Sequence, residues 1–86
     1  MDKVKDVVLK MHTKLMKERN IDRVSSPELE IRPRNGITSE SIVMLILDIE
    51  DALDIELDGS LAEIRVCKTI GDFIQIVEKV YEKNAR

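Results

Sequence analysis

Aromatic side chains are almost missing from this 86-residue chain, which has Phe73, Tyr81 and no tryptophan. With 43% of its residues hydrophobic, the core must be aliphatic, built from Ile, Leu, Val and Met. That composition favours packed helices over a sandwich of strands. Cysteine is equally scarce: Cys67 stands alone, so an internal disulfide is excluded. No apolar run approaches the ~18–20 residues a membrane helix needs, and no charged-then-apolar leader opens the chain. A cytoplasmic protein is expected. The length fits one domain over residues 1–86, with a small core drawn from a few elements.

Positive charge is absent from the middle of the chain. Residues 36–63 hold eight acids (Glu40, Asp48, Glu50, Asp51, Asp54, Glu56, Asp58, Glu63) and no Lys or Arg, whereas residues 1–35 hold nine bases against six acids. The net charge of -3 therefore conceals a concentrated negative patch. Such a patch argues against nucleic acid as a partner, because phosphates repel it. Taken alone, an acidic face is also what ordinary solubility produces.

Four helices are expected. Val4, Val7, Val8, Met11 and Leu15 recur at helical spacing among lysines, giving a first helix from about Asp2 to Arg19 with Asn20 as its left-handed stop. Residues 20–38 contain Pro27, Pro33, Gly36 and two serines, and read as a long loop in which Ile21, Val24, Leu29 and Ile31 anchor to the core. A loop this long in so small a domain points to a functional role. The run Ile42-Val43-Met44-Leu45-Ile46-Leu47 has no diagnostic period, but the pattern continues through Ile49 and Leu53. A second helix over about Ser39–Leu53 follows, capped by Thr38, with Val43, Ile46, Ile49 and Leu53 inward. Met44 and Leu47 then lie outside that stripe beside acids, as a contact surface would. Ser60–Glu63 forms one short helical turn, and Thr69-Ile70-Gly71-Asp72 is a capping box opening a last helix that runs to about Glu82, with Ile70, Phe73, Val77 and Val80 inward and residues 84–86 frayed.

Conventional catalysis has almost nothing to work with. There is one histidine, one cysteine and no metal-ligand cluster at usable spacing, so neither an enzyme nor a metal site is expected. His12 reads as a surface residue on the basic face of the first helix, and Cys67 as a small packing residue. What remains is Gly36-Ile37-Thr38-Ser39-Glu40-Ser41, a turn that sets a serine hydroxyl at the mouth of a helix. A helix N-terminus carries free amides and about half a positive charge, so an anionic group attached there is tolerated. The plainer alternative is that Ser39 or Ser41 is part of a helix cap.

The wider pattern resembles the acyl carrier protein family over nearly the whole chain. Gly36 and Ser39 keep the glycine-to-serine spacing of the family's Gly-x-Asp-Ser-Leu turn. Ala52-Leu53-Asp54-Ile55-Glu56-Leu57 is similar to its acidic-aromatic-Asp-x-Glu-aliphatic close of helix two, and Thr69-Ile70-Gly71-Asp72-Phe73 to its Thr-Val-Gly-Asp opening of the last helix. Two serines compete, because Glu40-Ser41-Ile42 looks superficially closer to Asp-Ser-Leu. Counting forward from Gly36 and back from Leu53 selects Ser39. Two departures stand in the motif: Thr38 replaces its aspartate and Glu40 its leucine.

The resemblance implies an all-α, four-helix bundle with a long first loop and a short third helix. It also implies a carrier, not an enzyme, that holds a thioester-linked acyl or aminoacyl group on 4'-phosphopantetheine at Ser39, in fatty acid, polyketide or related biosynthesis. Implied partners are a phosphopantetheinyl transferase and loading or processing enzymes with basic docking patches, which would read Glu40, Met44, Leu47, Asp48, Glu50 and Asp51; no membrane or nucleic-acid partner is expected, and the protein is expected to be a monomer. A second reading keeps the fold as an interaction module without the arm, motivated by Thr38 and Glu40. A helix-turn-helix regulator is a distant third, since the second helix lacks bases to meet phosphates.

Overall fold

The computed structural model describes residues 3–84, with side chains to residue 83. It is all-helical, a four-helix bundle of three longer helices and one short one, as the sequence leads one to expect. The helices are α1 (Lys3–Glu18), α2 (Ser41–Leu53), α3 (Leu61–Arg65) and α4 (Ile70–Asn84). Single 3-10 turns sit at Pro33–Asn35 and Asp58–Ser60. The described residues contain no strand, and none of their helices is long and apolar enough to cross a membrane. Expected and observed ends differ by one or two residues, the ordinary scatter of frayed termini. The start of the first helix at Asp2 and the fraying of Ala85 and Arg86 lie outside the described residues.

α1 packs against both α2 and α4, and α3 closes the bundle against α4. The core is aliphatic around one ring: Phe73 is 1% exposed among Val8, Leu45, Ile49, Leu57, Ile70 and Val77. Each such side chain contributes about 1.5–3 kcal/mol by leaving water. Asn20 is left-handed as expected and ends α1 (φ 64°). The capping box of α4 is also present: the Asp72 N–H donates to Thr69 Oγ1 at 3.2 Å, and the Asp72 carboxylate accepts from the Thr69 N–H at 3.3 Å.

The expected core stripe of α2 is turned by part of a helical rotation. Ser41, Leu45, Ile46, Ile49 and Leu53 are buried, and Val43 is 53% exposed. At about 100° per residue, burying Ser41 and Leu45 sends Val43, two residues on from Ser41, to the far side. Val24 also departs from expectation as a loop anchor, at 78% exposed. Its neighbour Ser25 points inward, and in non-helical chain successive side chains face opposite ways.

The third correction is His12, which is fully buried and not on the surface. Its Nε2–H donates to the Asn35 carbonyl at 2.8 Å, which leaves Nδ1 to accept from the Ser25 hydroxyl at 2.6 Å. Around it, Ser25 N–H donates to Thr13 Oγ1 at 2.9 Å, Asn35 Nδ2 donates to the Glu30 carbonyl at 2.8 Å, and Arg23 donates to Asn35 Oδ1. The stretch from Pro27 to Ile31 is held from the other side, where Gly71 N–H donates to the Pro27 carbonyl, Ile70 N–H to Leu29 and Ile31 N–H to Lys68, each at 2.9 Å. Gly71 permits this approach, since a Cβ there would lie 3.2 Å from the Pro27 oxygen.

Burial lowers the pKa of His12 from its ordinary 6.5, against a raising effect of its bond to Asn35. The neutral ring is the native form, so its stabilising contribution is whole above pH 6.5 and is lost as pH falls below that toward the folded value. Glu30 titrates below its ordinary 4.5, owing to its bond to Arg34 and the charge of Arg32, and Cys67 above its ordinary 9.0 through burial and then the nearby Asp72 and Glu63. Neither masks the histidine window. Urea unfolding should therefore show stability falling between about pH 6.5 and 5.5. His12→Gln, which strands one of the two buried loop partners, should cost about 1–3 kcal/mol and flatten that slope.

Candidate functional site

The serine turn is assembled from the loop outward. The 3-10 turn at Pro33–Asn35 closes with a Gly36 N–H bond to the Pro33 carbonyl at 2.9 Å, and Gly36 takes φ 82°, a left-handed conformation that favours glycine. Ile37 then anchors in the core. Thr38 and Ser41 form a reciprocal cap: Thr38 Oγ1 accepts from the Ser41 N–H at 3.1 Å, and Ser41 Oγ accepts from the Thr38 N–H at 2.7 Å. The Ser41 hydroxyl in turn donates to the Gly36 carbonyl at 2.6 Å. Ile42 N–H bonds to the Thr38 carbonyl at 3.0 Å, the first helical bond of α2, so Thr38 is the cap that the sequence suggests.

Three adjacent hydroxyls therefore have different roles. Thr38 is half-buried and spent on capping, and Ser41 is 1% exposed and spent on both Thr38 and Gly36. Ser39 lies between them in the first turn, exposed to solvent. Beside it runs a groove of about 650 Å³, lined along α2 by Ile42, Val43 and Ile46 and across from it by Leu61 and Ile64 of α3. This groove had no sequence signal of its own, because Ile31 and Pro33 from the long loop and Leu61 from α3 meet only through the tertiary fold.

The expected contact residues share one face of α2. Glu40, Met44, Leu47 and Asp51 are exposed and Asp48 half-buried, at spacings of three and four residues. Among the described residues the ion pairs are those of Glu30 with Arg32 and Arg34, so this face's acids have no cation from their own chain. Glu50 differs: its carboxylate accepts from the Leu57 N–H at 2.7 Å and fixes the turn after α2, a structural task in place of the expected contact. Cys67 is half-buried, its thiol donating to the Glu63 carbonyl at 3.4 Å, and its raised pKa keeps it protonated. Among the described residues no group of three His, Cys, Asp or Glu could hold a metal ion.

No family model matches the chain, and neither the curated proteins nor the solved structures contain a match to it. The site is therefore read from its own geometry.

Replacing Ser41 by Ala removes a buried acceptor and a buried donor together. It should destabilise the fold by about 1–3 kcal/mol in chemical denaturation. Ser39→Ala, which removes only an exposed hydroxyl, should stay within about 0.5 kcal/mol of the parent.

Proposed function

We propose that this protein is an acyl or aminoacyl carrier, acting in fatty acid, polyketide or related biosynthesis, with 4'-phosphopantetheine attached at Ser39. The observation that carries the reading is the division of labour in the serine turn: Ser41 and Thr38 are locked in the cap, and Ser39 alone is left exposed at the mouth of α2 beside an apolar groove. Ser39 is also the serine that the spacing from Gly36 and from Leu53 selects.

The residues present fit that group. A phosphodiester on Ser39 would meet the free amides and partial positive charge at the start of α2. No carboxylate lines the neighbouring groove. When bound, the group supplies a flexible tether ending in a thiol, on which cargo is carried as a thioester. The chain's own part is to hold Ser39 outward on a rigid turn and to offer partner enzymes a legible surface. Tethering of this kind gives an effective concentration of order millimolar for a short flexible arm.

Partner enzymes with basic patches would dock on Glu40, Met44, Leu47, Asp48 and Asp51. Attraction among exposed charges is screened beyond about 8 Å at physiological salt, so docking should be fast, weak and salt-sensitive. A phosphopantetheinyl transferase is the first such partner. A cytoplasmic setting and a monomeric state accord with this role. Thr38 and Glu40, where the resembling family has aspartate and leucine, favour a second reading in which the same face binds an enzyme and no arm is attached.

Intact mass after incubation with coenzyme A and a promiscuous transferase decides between them. The parent and Ser41→Ala should gain one phosphopantetheine and Ser39→Ala none; absence of any gain, with a transferase from the source organism included, would leave the armless module. Asp51→Lys should weaken transferase binding several-fold, on the order of 1 kcal/mol for an exposed charge pair, with the difference vanishing at high salt. Titration across a salt series reads both.

A further inference from the structure

Arg65, the last residue of α3, is the one charged residue among those lining the groove beside Ser39. The described ion pairs join Glu30 to Arg32 and Arg34, so Arg65 has no acid of this chain to neutralise it. The groove it borders is otherwise aliphatic, apart from the hydroxyls of Thr38 and Ser39. It follows α2 from Ser39 to Ile46, seven residues or about 10 Å of helix axis, long enough for an extended chain. A neutral aliphatic chain laid there would take water from a guanidinium and give it nothing in return. A chain that also carries an anion would fill the apolar walls and supply the charge-assisted bond that Arg65 lacks.

On the carrier reading, we propose that the groove takes an acyl cargo ending in a carboxylate, with Arg65 as the residue that selects the acid terminus over a methyl terminus. The arm's own phosphodiester is the other anion within a carrier. It would be fixed on Ser39 itself, where the amides opening α2 already serve it. The carboxylate of the cargo is therefore the anion left for Arg65.

Two thioesters of equal chain length, octanoyl and octanedioyl, isolate the terminal group. Each would be loaded from its coenzyme A thioester, with intact mass reporting attachment separately from groove occupancy. Groove occupancy would be read from the methyl resonances of Ile42, Ile46 and Ile64, and protection from the rate of thioester cleavage by hydroxylamine. In the parent, octanedioyl cargo should shift those methyls more than octanoyl and be cleaved about three- to fivefold more slowly, as one ion pair of moderate strength provides. Arg65→Gln should abolish the difference while leaving loading intact.

Equal protection of the two cargoes in the parent, or an unchanged preference in Arg65→Gln, would overturn the assignment. A phosphorus resonance that moves in Arg65→Gln whatever the cargo would also overturn it, in favour of the arm's phosphate. If no transferase loads the chain, the carrier reading fails, and the free octanoyl and octanedioyl thioesters of pantetheine test the groove without attachment. An Arg65-dependent preference for the acid would then uphold the groove, and no preference would reject it.

Discussion

His12 holds both ends of the long loop at once. One ring nitrogen is bonded to Ser25 near the loop's start and the other to the carbonyl of Asn35 near its end, and the ring itself is sealed from solvent. Without that tie, residues 19–40 would connect α1 to α2 as a segment with little helix and only half-buried apolar anchors at Ile21, Leu29 and Ile31. A loop of that length costs entropy to order, and the cost is met here by buried polar bonds instead of apolar area. The consequence reaches the candidate site directly. Asn35 is followed by Gly36, whose carbonyl receives the Ser41 hydroxyl, so the position of the α2 N-terminus is inherited from the histidine.

The cap at Thr38 and Ser41 then turns position into orientation. Because Ser41 is drawn inward, the apolar stripe of α2 runs through Leu45, Ile49 and Leu53, and its outward faces carry Val43, Met44 and Leu47. The same rotation leaves Ser39 outside. A threonine serves at the cap where aspartate would also serve, since either oxygen accepts the N3 amide. Thr38 thus preserves the local geometry of the turn while removing a negative charge from it. A partner that reads shape meets the expected turn, and one that reads charge must find it on Glu40 next door.

Much of the fold was legible because helical periodicity and capping chemistry are local. The α4 capping box at Thr69 and Asp72, the left-handed stop at Asn20 and the existence of α2 all depend on residues within a few positions of one another. His12, Val24 and Val43 were misread for a shared reason: the burial of each is decided by a partner far along the chain. Lysines at positions 10 and 14 make the face around residue 12 look solvated, and only Ser25 and Asn35, 13 and 23 residues away, make it an interior. One signal was present in the sequence: a loop rich in Ser and Asn and poor in apolar anchors needs a buried polar partner, and the chain has a single histidine to offer.

The rotation of α2 also explains how one short helix can present two surfaces without conflict. Val43 lines the groove toward α3, whereas Met44 and Leu47 lie with Glu40 and Asp51 on the acidic face. Neighbours in sequence are about 100° apart around the axis, so residues 43 and 44 diverge to opposite flanks of Ser39's helix. A molecule in the groove and a partner on the acidic face can therefore be engaged together, and an acidic face kept free of apolar contact with the groove keeps its charge in water, where it steers encounters most effectively. The groove, by contrast, has a single cation and no acid. The two flanks differ in sign as well as in polarity, and what each admits follows from that difference.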